Sequence, residues 1–133
     1  MDDPATEARR WWSQALDDRA FIGDMSTEAQ YFGEACFLAQ QAAEKAVKAC
    51  LYAAGRPDVT GHAVREFVLD LAGLEPKFKD IVAQAARLDG VPGGTPFHKY
   101  SATDLRSVRE DMEAVFSTAE RFLRARGILK QSA

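Results

Sequence analysis

Residues 36–55 read CFLAQQAAEKAVKACLYAAG, and this stretch decides the fold. Alanines at 35, 39, 42, 43, 46, 49 and 53 recur mostly at spacings of three and four. That is the period of a helix, and Gly55 stands where a left-handed residue ends one. An alanine-lined helix has a thin surface, so its neighbours approach closely and the bulk that fills the core has to come from opposite. Trp11, Trp12, Phe116 and Phe122 are the candidates for that bulk. Gln40 and Gln41 stand at the border of the thin face, where an amide is costly to bury without partners. They are therefore expected to bridge to a neighbouring helix or to a second subunit. Glu44 and Lys48 make an i,i+4 pair of modest value.

Outward from this helix the period persists. A first helix is expected from Pro4 to about Asp24, with Ala8, Trp11, Trp12, Ala15, Leu16, Ala20 and Ile22 as its apolar positions. Thr27 and Gln30 have the spacing of a capping box that would open the second helix. The loop RPDVTGH (56–62) leads to a short third helix lined by Val64, Phe67, Val68 and Leu71. Pro76 opens a fourth, burying Phe78, Ile81, Val82, Ala85 and Leu88. A glycine- and proline-rich loop, DGVPGGTPFHKY (89–100), follows. Ser101 and Asp104 form a second capping box for a last helix carrying Leu105, Val108, Met112, Val115, Phe116, Ala119, Phe122 and Leu123. It stops at Gly127, and residues 130–133 are expected to fray. The reading is all-α: one domain over residues 1–133, an antiparallel up-and-down bundle of three long and two short helices.

Composition bounds the function. Apolar residues make up 47% of the 133 and the net charge is −3, so the overall field does not favour nucleic acid. Residues 1–28 hold seven acids against three arginines, a balance of −4; residues 119–133 hold four cations against one acid, a balance of +3. Two solvated faces that attract each other account for this, and a basic end that meets phosphate is the sharper alternative. No apolar run reaches the ~20 residues of a membrane span, and MDDPATEARRWW at the start lacks the apolar segment of a signal peptide. Cys36 and Cys50 lie on one helix, about 21 Å apart by helical rise, and cannot pair with each other. Free thiols fit a reducing cytoplasm. Two lone cysteines and two distant histidines, His62 and His98, make no metal site, and no cofactor is expected.

The stretch ACFLAQQAAEKAVKACLYAAG (35–55), followed by GHAVREFVLDL (61–71), resembles the HEPN family. WWSQALDDRAF (11–21) is similar to that family's opening helix and YSATDLRSVREDMEAV (100–115) to its last. The resemblance implies a small helical bundle, usually dimeric. Many members are metal-independent ribonucleases, often toxins beside a separate nucleotidyltransferase-type antitoxin; others bind nucleotides or partners without catalysis. The ribonucleases carry an Arg, four to six residues, then a His near the start of the last long helix. Here Leu88 and Asp89 match the family's Leu-Asp, but Pro96 stands at the arginine position, Phe97 at a tyrosine position and His98 where proline is usual. Arg56 and His62 have the Arg-x5-His spacing in a different loop. The catalytic candidates are thus His98, Arg106, His62 and Arg56. Lys99, Tyr100 and Arg106 are candidates for nucleotide or RNA phosphate, and Gln40, Gln41, Glu44 and Lys45 for structure or interface. The expectation is a cytoplasmic, dimeric binding module of a toxin–antitoxin-like or nucleotide-linked system, its ribonuclease motif degraded. An active ribonuclease toxin and a purely structural dimeric bundle remain the alternatives.

Overall fold

The computed structural model describes residues 3–91 and 99–130. Five helices run α1 Pro4–Met25, α2 Phe32–Ala53, α3 Val64–Ala72, α4 Val82–Asp89 and α5 Ala102–Ala125. Short 3-10 turns, Ala29–Tyr31 and Pro76–Ile81, precede α2 and α4. No strand occurs among the described residues. Pro96, Phe97, His98 and residues 131–133 lie outside them.

Several helix ends follow their local chemistry. Asp3 caps α1, its carboxylate accepting from the Thr6 amide and hydroxyl at 2.8 and 3.0 Å. Those two bonds hold its carboxyl below the ordinary range. Ser101 and Asp104 form the expected capping box at 2.8 and 3.0 Å. Gly55 (φ 91°) and Gly127 (φ 75°) end α2 and α5. The Arg56 amide reaches back to the Leu51 carbonyl and the Ile128 amide to Leu123, the paired-bond ending that needs a left-handed glycine. Thr27–Gln30 does not follow its local chemistry. The 3-10 turn absorbs Gln30, α2 begins after Tyr31 with no side-chain cap, and the Thr27 hydroxyl donates instead to the Asp24 carbonyl. Pro76 opens a 3-10 turn before α4 begins at Val82.

Cross-helix pairs set the topology. Trp11 stacks on Tyr52 and Lys45 bonds Asp18 at 2.6 Å, so α1 and α2 are antiparallel. Trp12 meets Phe116 and Arg109 donates to Ser26, so α5 is antiparallel to α1. Arg87 grips Asp111 through two bonds, 3.0 and 2.9 Å, and Phe78 meets Phe122 edge-on, so α4 opposes α5. Helices α1, α2, α4 and α5 thus alternate in direction, which leaves α2 and α5 side by side and parallel. The Cys50 thiol touches the Ala119 carbonyl between them.

The thin face is as the sequence implies. Ala35, Ala39, Ala42, Ala43, Ala46 and Ala49 are wholly buried, and Phe116 and Trp12, whose rings meet, are among the large buried side chains of the same core. Ala20, read as apolar and inward, is exposed. Cys36 and Cys50 are free and buried. Burial pushes the Cys36 thiol up to about 11 and the Cys50 thiol higher still, so neither holds an appreciable thiolate fraction at neutral pH. A thiol reagent should therefore label neither within the time that it labels an exposed cysteine, and both once the chain is unfolded. Rapid labelling of both in the native protein would contradict their placement.

Candidate functional site

Residues 54–63 connect α2 to α3 and carry the Arg56–His62 spacing. The structure sends these two side chains to different acids. Arg56 places its fork on Asp70, Nη2 to Oδ1 at 2.7 Å and Nε to Oδ2 at 3.3 Å. His62 turns its Nδ1 to Glu44, 3.3 Å from Oε1 and 3.4 Å from Oε2, while its ring stays 83% exposed.

Glu44 sits at the centre of a small polar cluster. It is 3% exposed and Lys48, one turn on, is 6% exposed. The Lys48 ammonium lies 3.3 Å from Glu44 Oε2 and faces the rings of Trp11 and Phe67, at 5.1 and 5.7 Å from their centroids. The i,i+4 pair that reads as one of modest value is buried under two aromatic rings. Glu44 Oε1 accepts no hydrogen bond among the described residues, although His62 is near. Gln40 and Gln41 bond to each other: Gln41 Nε2 donates to Gln40 Oε1 at 2.7 Å, and this bond is not a bridge to another helix. Lys45 ties α2 to α1 through Asp18.

Arg106 belongs to a different place. With Arg109, Glu110 and Glu113 it lines an open cleft of about 540 Å³ between α5 and the α1–α2 connection, floored by Phe32 and Leu105. Arg109 is held there by the Ser26 hydroxyl at 3.0 Å. Lys99 is exposed and Tyr100 half-buried, and neither lines this cleft. Tyr100 packs against Gly33, where an added Cβ would stand 3.7 Å from its ring. Burial, with Cys36 and Asp104 beside it, raises its phenol above the ordinary value. Lys99 and Tyr100 therefore do not share this cleft with Arg106. Arg109 and Ser26 are cleft residues the sequence reading missed; nothing local marks Ser26, whose partner is 83 positions away.

Asp89, matched above to a family Leu-Asp pair, has a structural task. Helix α3 starts at Ala63 without a side-chain cap of its own. Asp89, at the end of α4, accepts from the Val64 and Arg65 amides at 2.7 and 2.9 Å. It caps one helix from another. Asp89→Ala should lower unfolding free energy by about 1–2 kcal/mol and Asp89→Asn by less, since one amide oxygen remains. Urea unfolding of the three proteins checks the order.

Cleavage of RNA by a histidine needs a positioned cation beside it to meet phosphorane charge. Near His62 the Arg56 fork is occupied and Lys48 is under rings, so among the described residues this pair is not poised for that chemistry. No group of three or more His, Cys, Asp or Glu side chains suited to a metal occurs among the described residues. No helix there is long and apolar enough to cross a membrane.

Comparison with known proteins agrees with the helical architecture. The HEPN domain family model matches residues 8–129. The crystal structure of an archaeal HEPN homologue superposes with a TM-score of 0.70 at 24% identity, covering 91% of this chain and 98% of that one. A search of curated proteins finds none that matches.

Proposed function

Since the chain belongs to the HEPN domain family, we propose that it is a cytoplasmic, homodimeric helical binding module that does not cleave RNA. Its setting is toxin–antitoxin-like or nucleotide-linked, beside a separate nucleotidyltransferase-type protein. One observation carries the non-catalytic reading: Arg56 and His62, which have the ribonuclease spacing, are engaged by Asp70 and Glu44 respectively. Pro96 at the family's arginine position supports it, because proline offers neither charge nor an N–H. An anionic small molecule such as a nucleotide would meet Arg106 and Arg109 in this cleft, over its apolar floor and beside Glu110 and Glu113.

Two measurements test this. Purified protein incubated with single-stranded RNA and transfer RNA in chelator should leave both intact, and His98→Ala should change neither that result nor the unfolding midpoint. Wild-type cleavage abolished by His98→Ala would establish the ribonuclease reading instead. Light scattering at micromolar concentration should give twice the 14.6 kDa chain mass, and a clean monomer would remove the dimer.

A further inference from the structure

Three of the large apolar side chains left exposed are aromatic and lie toward one corner of the bundle: Phe21 (58%), Tyr31 (43%) and Phe37 (38%). The Asp18–Lys45 pair sets the α1–α2 register and places Phe21 opposite Ala42, five residues along α2 from Phe37 and towards the same end of the hairpin. Tyr31 ends the turn that joins the two helices. Single exposed apolar residues are ordinary, but aromatic groups gathered around one helix connection mark an interaction surface.

The charge around them selects the partner. Asp17 and Asp24 stand four and three positions from Phe21 on its face of α1, and Glu34 stands three positions from Phe37 on α2. Glu28 opens the turn that carries Tyr31. All four are exposed, and none holds an ion pair or side-chain hydrogen bond among the described residues. The nearby Asp18 and Arg19 are both engaged, by Lys45 and Glu113. From Ala20 to Glu44 the chain contains no lysine, arginine or histidine, and the arginines beside the connection, Arg106 and Arg109, lie on its α5 side in the cleft with Glu110 and Glu113.

We infer that this corner docks a basic amphipathic segment of a separate protein, its apolar side on the three aromatic rings and its cations on the surrounding carboxylates. A nucleic-acid backbone would meet four uncompensated negative charges here. A second copy related by a two-fold axis would set the same carboxylates against themselves. The inference rests on the binding-module reading and makes a narrower claim, the place and charge of one partner.

The probe is a fluorescein-labelled helical peptide of leucine and lysine at heptad spacing, read by anisotropy, with a leucine–glutamate peptide as control. The lysine peptide should bind the full chain saturably and the glutamate peptide should not. Phe21→Ser with Phe37→Ser should weaken binding about tenfold or more, since anchoring aromatics carry most of such an interface. Asp24→Asn, Glu28→Gln and Glu34→Gln together should weaken it comparably and flatten its salt dependence. These side chains are exposed, so thermal midpoints should stay near wild type. Equal binding by the aromatic variant, or binding of the glutamate peptide, overturns the proposal. Loss of self-association in the aromatic variant also overturns it, assigning the corner to a second copy. If docking fails while the dimer mass and inertness towards RNA persist, the broader reading stands without this surface.

Discussion

Glu44→Ala is expected to lower the unfolding free energy by about 3–5 kcal/mol, because it leaves the Lys48 charge buried without its carboxylate. The aromatic faces of Trp11 and Phe67 would offset part of that, as a ring does for a nearby cation, but a ring accepts no strong hydrogen bond. His62 would lose its contact at the same time and free the end of the α2–α3 connection. The companion substitution separates the pair from the site. Glu44→Leu with Lys48→Met removes both charges at similar volume and should recover most of the loss. Urea unfolding of Glu44→Leu, Lys48→Met and their combination measures the coupling. If Glu44→Ala cost no more than an exposed substitution, the cluster would be solvated and the description of its burial wrong.

Phe116→Ala should cost a similar amount, about 3–5 kcal/mol, by the transfer and cavity terms of a buried aromatic. Phe116 is 1% exposed, meets the Trp12 ring at 5.4 Å between centroids and lies under the Arg19 guanidinium at 4.6 Å. Helix α2 cannot close the gap, since its facing side chains are alanines with no length to extend. The same change at Phe37, which is 38% exposed, should cost under about 1 kcal/mol. Comparable losses at the two positions would contradict this assignment of core and surface.

What the sequence made legible, and what it hid, follows from how far each interaction reaches. Helix spans and buried faces came from periodicity, a property of neighbours three and four apart, and Val64, Phe67, Val68 and Leu71 are buried as that pattern implies. Ser101 and Asp104 are likewise local, and their box forms. Thr27 and Gln30 have equally good spacing, yet the chain enters a 3-10 turn there, because the connection is set by how α1 and α2 dock. Glu44 and Lys48 show the limit most plainly. An i,i+4 pair looks the same in sequence on a surface or in a core, and here Trp11 from α1, Phe67 from α3 and His62 from the connection bury it. Of the candidate site, Arg56 and His62 were legible as a spacing, but Asp70 and Glu44, fourteen and eighteen positions from their partners, decide what each does. Gln40 and Gln41 read in sequence as amides that would bridge to another helix or subunit, whereas the bond between them joins neighbours on one helix.

The Asp89 cap also has a consequence for the order in which the chain acquires its shape during synthesis. Helix α3 is nine residues long, below the length at which a helix stands alone in water. The carboxylate that secures its first turn is made 25 positions after Val64. The α1–α2 hairpin has its partners as soon as both helices exist, but α3 has to wait for the end of α4. A chain truncated before Asp89 should therefore leave the Val64 and Arg65 amides open to hydrogen exchange, and strong protection there would show that α3 forms without it. A residue of one helix thus acts as the finishing step of the helix before it.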